Sequence, residues 1–448
     1  MVGGSDCAII LIVSAEHRRG IVKKIAATAT QRAAQPELPG VAALDRGRGR
    51  PALSPKRPSE DTSGLADVFP YYAGFAYDWA RALLAAQKLP ANAVILDPWN
   101  GSGTTTLAAQ HEGHKAIGID RNPVANIVAR LRVTSFTQGP FLTPRENVPH
   151  CTTSSATDPL AAWFDQKSIL RIRDWAEHLS TLPSEKSALA YVALFRTVRI
   201  LTRSFEGSNP TWVKRAKSED ELVRIGALDF DTAVEQEQEF LACRVRESPR
   251  SSSMPVQIST ADSCALPVAT DSIDSVLTSP PYLTRIDYAV AYTRELALLG
   301  VDISRDRTLR SALMGTTLIR GDGQADFPMG SIAESLLSNV ASHSSKASNG
   351  YYRKQTVQYL RDLSKGLDEV TRVIKPGGYL HLVVQDSYYK DIPVRLADIC
   401  VEETELRGWH LVQRDPYPVR RTLTSLNKAA RKYKKSEVAE TVVTLRKA

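Results

Sequence analysis

The sequence predicts an α/β fold whose mostly parallel, seven-stranded sheet holds a ligand at the carboxyl ends of its strands. Seven short runs have the composition of strands, and helical patterns separate most of them: 93–97, 116–119, 256–260, 273–277, 379–384, 410–414 and 440–445. Acidic residues end the first two runs, and glycines follow the first directly. Glycines at a strand-to-helix turn let the backbone approach a ligand closely. We therefore expect a ligand cleft at this edge of the sheet.

The composition is typical of a globular protein with polyanionic partners. The chain has 448 residues, 43% of them hydrophobic and 24% charged, with a net charge of +8. Its five cysteines form no C-x-x-C pair, which argues against a zinc site or a disulfide framework and fits a reducing cytosol. The early apolar run at 7–13 is too short to span a bilayer. We expect no membrane segment and no export signal.

The pattern divides the chain into four parts. Residues 1–66 are predicted to be a disordered basic tail, and 67–134 to be the cofactor-binding half of the core. Residues 135–255 are predicted to be a helical insertion, with a possible role in target recognition, and 256–448 the catalytic half with a basic hairpin loop. One predicted helix of the insertion aligns three basic side chains, as either a phosphate-contacting stripe or a solvated face: Arg196, Arg199 and Arg203.

The turn after the first strand indicates which ligand it binds. It reads Asp97-Pro98-Trp99-Asn100-Gly101-Ser102-Gly103-Thr104-Thr105. A P-loop needs a lysine before its last Ser/Thr, and a dinucleotide fingerprint needs a third glycine, where Thr106 stands. A cofactor with a carboxylate and a positive sulfonium remains, for which Asp97 is a suitable partner. Asp120 ends the second strand roughly 20 residues further on, placed to bind both ribose hydroxyls of an adenosyl group.

A stiff corner follows the fourth strand at Thr278-Ser279-Pro280-Pro281-Tyr282. Two prolines fix their own φ angles and offer carbonyls without N–H donors. An exocyclic amine held between the Ser279 hydroxyl and the Pro280 carbonyl would expose a nucleophilic lone pair, and Tyr282 would give the attached base a flat face. The alternative is a proline-rich surface turn.

Together, the Ser-Pro-Pro-Tyr corner and the Asp-Pro-Trp-Asn-Gly-Ser-Gly-Thr-Thr turn resemble the motifs of the amino-methylating (N4-cytosine/N6-adenine) DNA methyltransferases, which usually have Phe at the position of Trp99. The resemblance covers residues 67–135 and 256–448. It implies a Rossmann-like class I methyltransferase fold and S-adenosyl-L-methionine as the cofactor. It also places Phe75 at the methionine end of the cofactor and Asp262 at its adenine amino group.

The motif order departs from that of many bacterial relatives, in which the catalytic motif precedes the cofactor motif. Here it follows, which leaves three candidate regions for target recognition: 135–255, 304–350 and the C-terminal loop. That loop is basic, and we expect its cations to grip phosphates. The predicted nucleic-acid contacts are Arg420, Arg421, Lys428, Arg431, Lys432, Lys434 and Lys435.

The remaining predicted site residues fall into two sets. The catalytic set is Ser279, Pro280, Pro281 and Tyr282. The cofactor-binding set is Phe75, Asp97, Pro98, Trp99, Gly101, Ser102, Gly103, Thr104, Thr105, Asp120, Asn122 and Asp262. No metal site is expected, because His111 and His114 lack the H-E-x-x-H pattern and a third ligand; we interpret them as surface histidines.

The resemblance implies methyl transfer to an amine of a base rotated out of double-stranded DNA, without a covalent enzyme intermediate. Serine in the first position of the corner favours N4 of cytosine over N6 of adenine. The runner-up is an RNA methyltransferase acting on a guanine or adenine amine, and a third possibility is a catalytically silent nucleic-acid-binding subunit. A cognate restriction or defence nuclease is a possible partner. The expected location is the cytoplasm of a prokaryote, in association with the nucleoid.

Overall fold

The computed structural model describes residues 54–56, 65, 68–71, 74–134, 158–207, 212–248, 254–283, 286–419 and 438–448. Every described residue lies within 49–448, which forms one compact unit. Most of the predicted tail, residues 135–157 of the predicted insertion and the basic loop that carries Arg420 to Lys435 fall outside the described residues.

One seven-stranded sheet forms the centre of the described unit. Its strands are β1 Val94–Asp97, β2 Lys115–Ile119, β3 Val256–Ser259, β4 Ile273–Thr278, β5 Ile374–Gln385, β8 Trp409–Pro418 and β9 Ala439–Lys447. Their order across the sheet is β3-β2-β1-β4-β5-β9-β8. The first five are parallel, and β9 runs antiparallel to both β5 and β8. This topology confirms the predicted Rossmann-like class I methyltransferase fold. A small hairpin follows β5 directly, made of β6 Ser387–Tyr389 and β7 Ile392–Val394.

Twelve α-helices occur in the described part of the chain. Before the catalytic corner they are α1 Tyr77–Ala86, α2 Thr104–His111, α3 Pro123–Val133, α4 Gln166–Ser180, α5 Ser184–Leu201 and α6 Ala227–Glu247. After it they are α7 Tyr288–Ala291, α8 Thr293–Leu298, α9 Thr308–Ala312, α10 Ser331–Ser342, α11 Arg353–Val373 and α12 Leu396–Glu405. None is long and apolar enough to cross a membrane.

The first helix begins later than its aromatic pattern suggests. Aromatic residues recur at helical spacing from Phe69 to Trp79, but the helix begins at Tyr77. Pro70 disfavours helical geometry at the residue before it. Phe69 is buried and packs instead against Phe195 of α5 and Tyr292, with ring centroids 6.0 and 6.3 Å apart. The aromatic stripe is therefore split between a helix and an irregular segment.

Helices α4, α5 and α6 share one hydrophobic core with α3 and α8, on the β1–β2 side of the sheet. The basic face of α5 belongs to this packing. Arg196 binds Glu237 at 2.5 Å and the Val68 carbonyl at 2.9 Å. Arg199 is paired with the fully buried Glu295, and its guanidinium lies 4.8 Å from the centroid of the Phe69 ring. For Arg196 and Arg199, the predictions of a phosphate-contacting stripe and of a solvated face are both wrong, because acids on neighbouring helices neutralise these side chains. Arg203 is exposed.

The two histidines at the end of the first βα unit are also not simple surface residues. His114 is only 8% exposed, and burial lowers its pKa. The His111 ring is half-buried and contacts the Tyr77 hydroxyl of α1. Packing of α1 over α2 covers His111, which a spacing argument does not reveal. Among the described residues, no group of three or more His, Cys, Asp or Glu side chains could hold a metal ion.

Candidate active site

Asp97, at the end of β1, ties the cofactor turn to the strand that leads into the catalytic corner. Its Oδ2 accepts a hydrogen bond from the Thr105 hydroxyl at 2.7 Å, and its Oδ1 accepts one from the Thr278 hydroxyl at 2.5 Å. Burial raises the pKa of Asp97 to about 6, although these two hydroxyls and the Trp99 N–H oppose the rise. The carboxyl group is 3% exposed and lines a cavity. It therefore joins three elements while facing the ligand space.

Two glycines give the turn a shape that no other residue would allow. Gly101 and Gly103 have φ angles of +49° and +83°. A Cβ at Gly101 would lie 2.8 Å from Cε1 of Tyr71, and one at Gly103 would lie 2.8 Å from Cβ of Ala129 in α3. The turn is thus clamped between an aromatic ring above and a helix below, with its backbone against the cavity.

Asp120 holds the end of β2 against this turn. One of its oxygens accepts from the Gly101 N–H at 2.9 Å, and the other from the Asn122 N–H at 2.8 Å. Burial raises its pKa to about 6, while the two N–H groups lower it. Since each carboxylate oxygen has two lone pairs, both keep capacity to accept ribose hydroxyls. Asn122 itself caps α3 by accepting from the Val124 N–H at 3.1 Å.

Asp262 follows β3 and forms an ion pair with Arg121, which comes directly after Asp120. Its other oxygen accepts from the Cys264 N–H at 2.9 Å. Asp262, Arg121 and Cys264 all line the cavity. Sequence analysis assigned no role to Arg121, although a cation directly after the predicted ribose-binding Asp120 is a signal that it could have used.

The catalytic corner meets the cavity through Ser279 and Pro281. The Ser279 hydroxyl lies 3.2 Å from the Tyr282 hydroxyl. Tyr282 is only 8% exposed, belongs to the hydrophobic cluster that includes Leu336 and Tyr359, and is not among the cavity-lining residues, nor is Pro280. Stacking of a base on Tyr282 stays a prediction.

A segment within the 304–350 candidate region covers the corner. We call residues 308–320 the strap; Leu313 and Met314 in it line the cavity together with Ser279. Gly315, with φ +78°, passes over the corner, where a Cβ would lie 3.5 Å from the Tyr282 carbonyl oxygen. Asp287 fastens the strap by accepting from Nε of Arg310 at 2.9 Å and from the Thr317 hydroxyl at 3.1 Å.

Three tyrosines form a wall on the cofactor side of the cavity. Tyr71 stacks on Tyr292 and Tyr288, with ring centroids 4.9 and 6.1 Å apart and interplanar angles of 11° and 22°. Tyr71 and Tyr288 line the cavity, and burial raises the pKa of each hydroxyl. Only the fold brings the segment before α1 to the helices after the corner, so no local pattern could reveal this wall.

Trp99, where relatives usually have Phe, occupies space left by a glycine of α11. A Cβ on Gly366 would lie 2.6 Å from Cζ2 of the Trp99 ring. The larger aromatic ring and the missing side chain therefore fit each other.

The structure brings most of the predicted cofactor set to one cavity. Its lining includes Phe75, Asp97, Pro98, Trp99, Gly101, Ser102, Thr104, Asp120 and Asp262. Gly103, Thr105 and Asn122 do not line it and shape the turn from behind. Acids at three neighbouring strand ends and a glycine turn fit the hydrogen-bond donors of S-adenosyl-L-methionine, the cofactor of the class I methyltransferase fold.

Comparison with known proteins agrees with this geometry. The sequence model of a family described as DNA methylase matches residues 67–128. The chain is 24% identical over 289 residues to the Type II methyltransferase M.BsoBI of Geobacillus stearothermophilus, covering 55% of each protein. It is 25% identical to M.AvaI of Nostoc sp. over 56% of this chain and 57% of that protein. M.MvaI of Kocuria varians is 18% identical over 71% of this chain and 76% of its own length.

The chain spans about half the length of the first two of these relatives. The matched family segment contains the whole cofactor turn and Asp120, and the corner follows on the neighbouring strand. In its motifs and over the matched segment, the chain is similar to the DNA methylases and to these Type II methyltransferases.

Proposed function

We propose that this protein transfers a methyl group from S-adenosyl-L-methionine to an exocyclic amine of a DNA base, most specifically N4 of cytosine within a defined sequence. The observation that carries the proposal is the convergence of Ser279 with Asp97 and Asp120 on one cavity. An amine-holding corner and a cofactor-holding turn are then close enough to act on each other, because β1 and β4 are adjacent parallel strands.

Each half of the cavity has its own task. The cofactor supplies a methyl group activated by a positive sulfonium. Asp120 accepts hydrogen bonds from ribose hydroxyls, and Asp262, with Arg121 beside it, accepts from the adenine amine. The Ser279 hydroxyl and the Pro280 carbonyl accept from the target amine and direct its lone pair towards the methyl group. Formation of the nitrogen–methyl bond would break the sulfur–methyl bond and leave a neutral thioether, and the methylated amine would lose one proton to water. Catalysis then rests on positioning and on the electrostatics of the cavity.

The Ser279–Tyr282 contact favours a hydroxyl-based amine clamp. With the Tyr282 hydroxyl 3.2 Å away, the serine hydroxyl has a neighbour that can donate to it, which leaves its own proton free to point elsewhere. A serine at this position supports cytosine N4 over adenine N6. Adenine N6 in DNA, and a guanine or adenine amine in RNA, are the alternatives.

One assay ranks these substrates. The protein is incubated with methyl-labelled cofactor and either unmethylated duplex DNA or RNA, and the digested product is separated into nucleosides. We expect label in N4-methylcytosine from DNA. Label in N6-methyladenine would overturn the base assignment, label in RNA alone would overturn the substrate class, and no label in either would favour a silent binding subunit.

Two variants separate the halves of the cavity. Ser279→Ala should lower kcat at least 100-fold while leaving the Kd for the cofactor within about twofold, because its hydroxyl faces the acceptor amine. Asp120→Ala should weaken cofactor binding at least tenfold, since two ribose hydrogen bonds to a charged group are lost. Unchanged cofactor affinity in Asp120→Ala would remove the ribose assignment.

DNA is also expected at the predicted basic loop. The loop joins β8 to β9 and leaves the sheet where Pro418 pairs with Ala439, at the same edge as the end of β5. The charge of the loop supports phosphate contacts by Arg420, Arg421, Lys428, Arg431, Lys432, Lys434 and Lys435. The relatives are named Type II methyltransferases, and a nuclease that cuts the same unmethylated sequence is the corresponding partner. Resistance of product DNA to such a nuclease would test that pairing.

A further inference from the structure

We propose that a second surface, beside the mouth of the cavity, holds the phosphate backbone of duplex DNA next to the target base; this rests on the proposed function. We call it the platform. It consists of Lys346, Tyr351, Tyr352, Tyr389, Lys390 and Arg395. These residues come from the turn before α11, the β6–β7 hairpin and the residue before α12.

The platform lies at the catalytic edge of the sheet. The β6–β7 hairpin follows β5 directly, and β5 is parallel to β4, whose carboxyl end leads into Ser279. The exposed Tyr351 donates a hydrogen bond from its hydroxyl to the Thr317 carbonyl at 2.6 Å. Thr317 belongs to the strap, three positions after Met314 in the cavity wall. The surface is therefore continuous from the cavity to the platform, as a duplex with one base rotated inwards would require.

The aromatic base of the platform is rigid. The rings of Tyr352 and Tyr389 lie 4.9 Å apart between centroids. The Tyr389 hydroxyl is fixed by the Ser348 hydroxyl at 2.5 Å and the Ser345 hydroxyl at 3.3 Å. Tyr389 is only 6% exposed, so its anchored ring supports the half-buried Tyr352 from beneath, and Tyr352 loses little further conformational entropy on binding.

The charge of the platform complements DNA. The Lys390 ammonium lies 5.8 Å from the centroid of the Tyr352 ring and 6.0 Å from that of Tyr389, so the two rings hold a cation in place. Lys346 and Arg395 are exposed. The carboxylate of the neighbouring Asp391 is hydrogen-bonded to Nε2 of His343 at 2.8 Å. Cations arranged in this way release counterions from a duplex when they bind it.

The backbone conformation of Lys390 indicates that the positive charge of its side chain, rather than the shape of the turn, accounts for lysine at this position. Lys390 occupies the hairpin turn with φ +56°, in the left-handed region where glycine costs less free energy than lysine. The turn geometry alone would be satisfied better by glycine. A strained position that carries a cation over two aromatic rings is consistent with selection for the cation.

A glycine at position 390 would suit the turn but remove the charge, so this substitution tests the two properties separately. Lys390→Gly should leave the Tm unchanged or raised, but increase the KM for duplex DNA about 3–10-fold and reduce the dependence of DNA affinity on salt by about one phosphate contact. The kcat at saturating DNA and the Kd for the cofactor should not change. Lys390→Arg should restore DNA affinity, because it keeps the charge.

Charge reversal extends the test and supplies its control. Lys346→Glu and Arg395→Glu should each raise the KM for DNA, whereas Lys115→Glu should not, since Lys115 is exposed at the amino end of β2 on the opposite edge of the sheet. A KM and salt dependence that are normal in Lys390→Gly and in both platform reversals would overturn the platform while leaving methylation intact. Tighter binding of the wild-type protein to duplex RNA than to duplex DNA, measured by fluorescence anisotropy, would also overturn it. If the wild type methylates no DNA but the variants still lose DNA affinity, only the proposed reaction fails.

Discussion

The cofactor side and the catalytic side of the cavity are held together in different ways. On the cofactor side, Asp97 and Asp120 accept N–H groups from residues two positions ahead in the chain, Trp99 and Asn122. On the catalytic side, Ser279 is covered by a strap that Asp287 fastens. The cofactor turn is therefore formed largely by local backbone, whereas the space proposed for the target base depends on segments that meet only in the folded protein.

The Asp97–Thr278 hydrogen bond is the link between the two sides, across 181 positions of sequence. Asp97→Ala should therefore have the largest effect of any single change: kcat/KM at least 100-fold lower, and a free energy of unfolding lower by about 1–3 kcal/mol, because buried hydroxyls lose their acceptor. Activity assays measure the change in kcat/KM, and urea denaturation measures the change in the free energy of unfolding.

Thr278→Val and Thr278→Ser are the matched controls for this link. Valine keeps the volume but removes the donor, so it should reproduce part of both losses, while serine keeps the hydroxyl and should stay near wild type. A fully active, fully stable Asp97→Ala protein would show that the two sides are independent.

Binding of the cofactor should weaken on acidification, which probes the cofactor side alone. Burial raises the pKa of both Asp97 and Asp120 from 3.8 to about 6. Because ribose hydroxyls donate to an ionised carboxylate, the Kd should rise as the pH falls through about 6, up to about tenfold per pH unit for one group. Asp120→Asn should bind weakly and with a shallower pH dependence, since Asp97 still titrates. Calorimetry can measure the Kd of the wild-type protein for the cofactor across this range. A Kd that is constant between pH 7 and pH 5 would contradict the expected weakening.

The same shifts fix the sign of the stability change. The folded protein holds these protons more tightly than the unfolded chain does, so the free energy of unfolding should fall as the pH rises from about 4 to about 6. Asp120→Asn should reduce this fall, because one of the two groups no longer titrates.

The contrast between the two sides also explains how far the sequence could lead. The strand runs, the glycine turn and the acids at the strand ends are local patterns, and the structure has them where the sequence predicts them. Helical periodicity correctly predicted α5 but could not tell what covers its basic face; Glu237 and Glu295 do so. The strap and the stacked tyrosines have no local signature, since each joins distant segments.

A smaller effect is expected where the strap is fastened. Asp287 is 10% exposed and binds Arg310 and Thr317. Asp287→Ala should loosen the strap over Ser279. The KM for DNA should rise and kcat should fall, so that kcat/KM is about tenfold lower, while the Kd for the cofactor stays nearly unchanged. Asp302→Ala, which removes an exposed pair with Arg305 in the same region, is the control and should be close to wild type. Equal losses in both variants would mean that the strap has no special role.

The smallest effect is expected from the contact between Trp99 and Gly366, which joins the cofactor turn to α11. Gly366→Ala introduces a Cβ 2.6 Å from the Trp99 ring. The overpacking should cost about 1–3 kcal/mol of unfolding free energy, offset in part by the better helix propensity of alanine. Thermal denaturation and the Kd for the cofactor measure the damage. Adding Trp99→Phe to Gly366→Ala should recover most of the lost stability and of the lost cofactor affinity, because the smaller ring vacates the space where the Cβ lies. If the double variant were as unstable as the sum of the two single variants, the two residues would act independently, and the turn would owe its position to its own backbone alone.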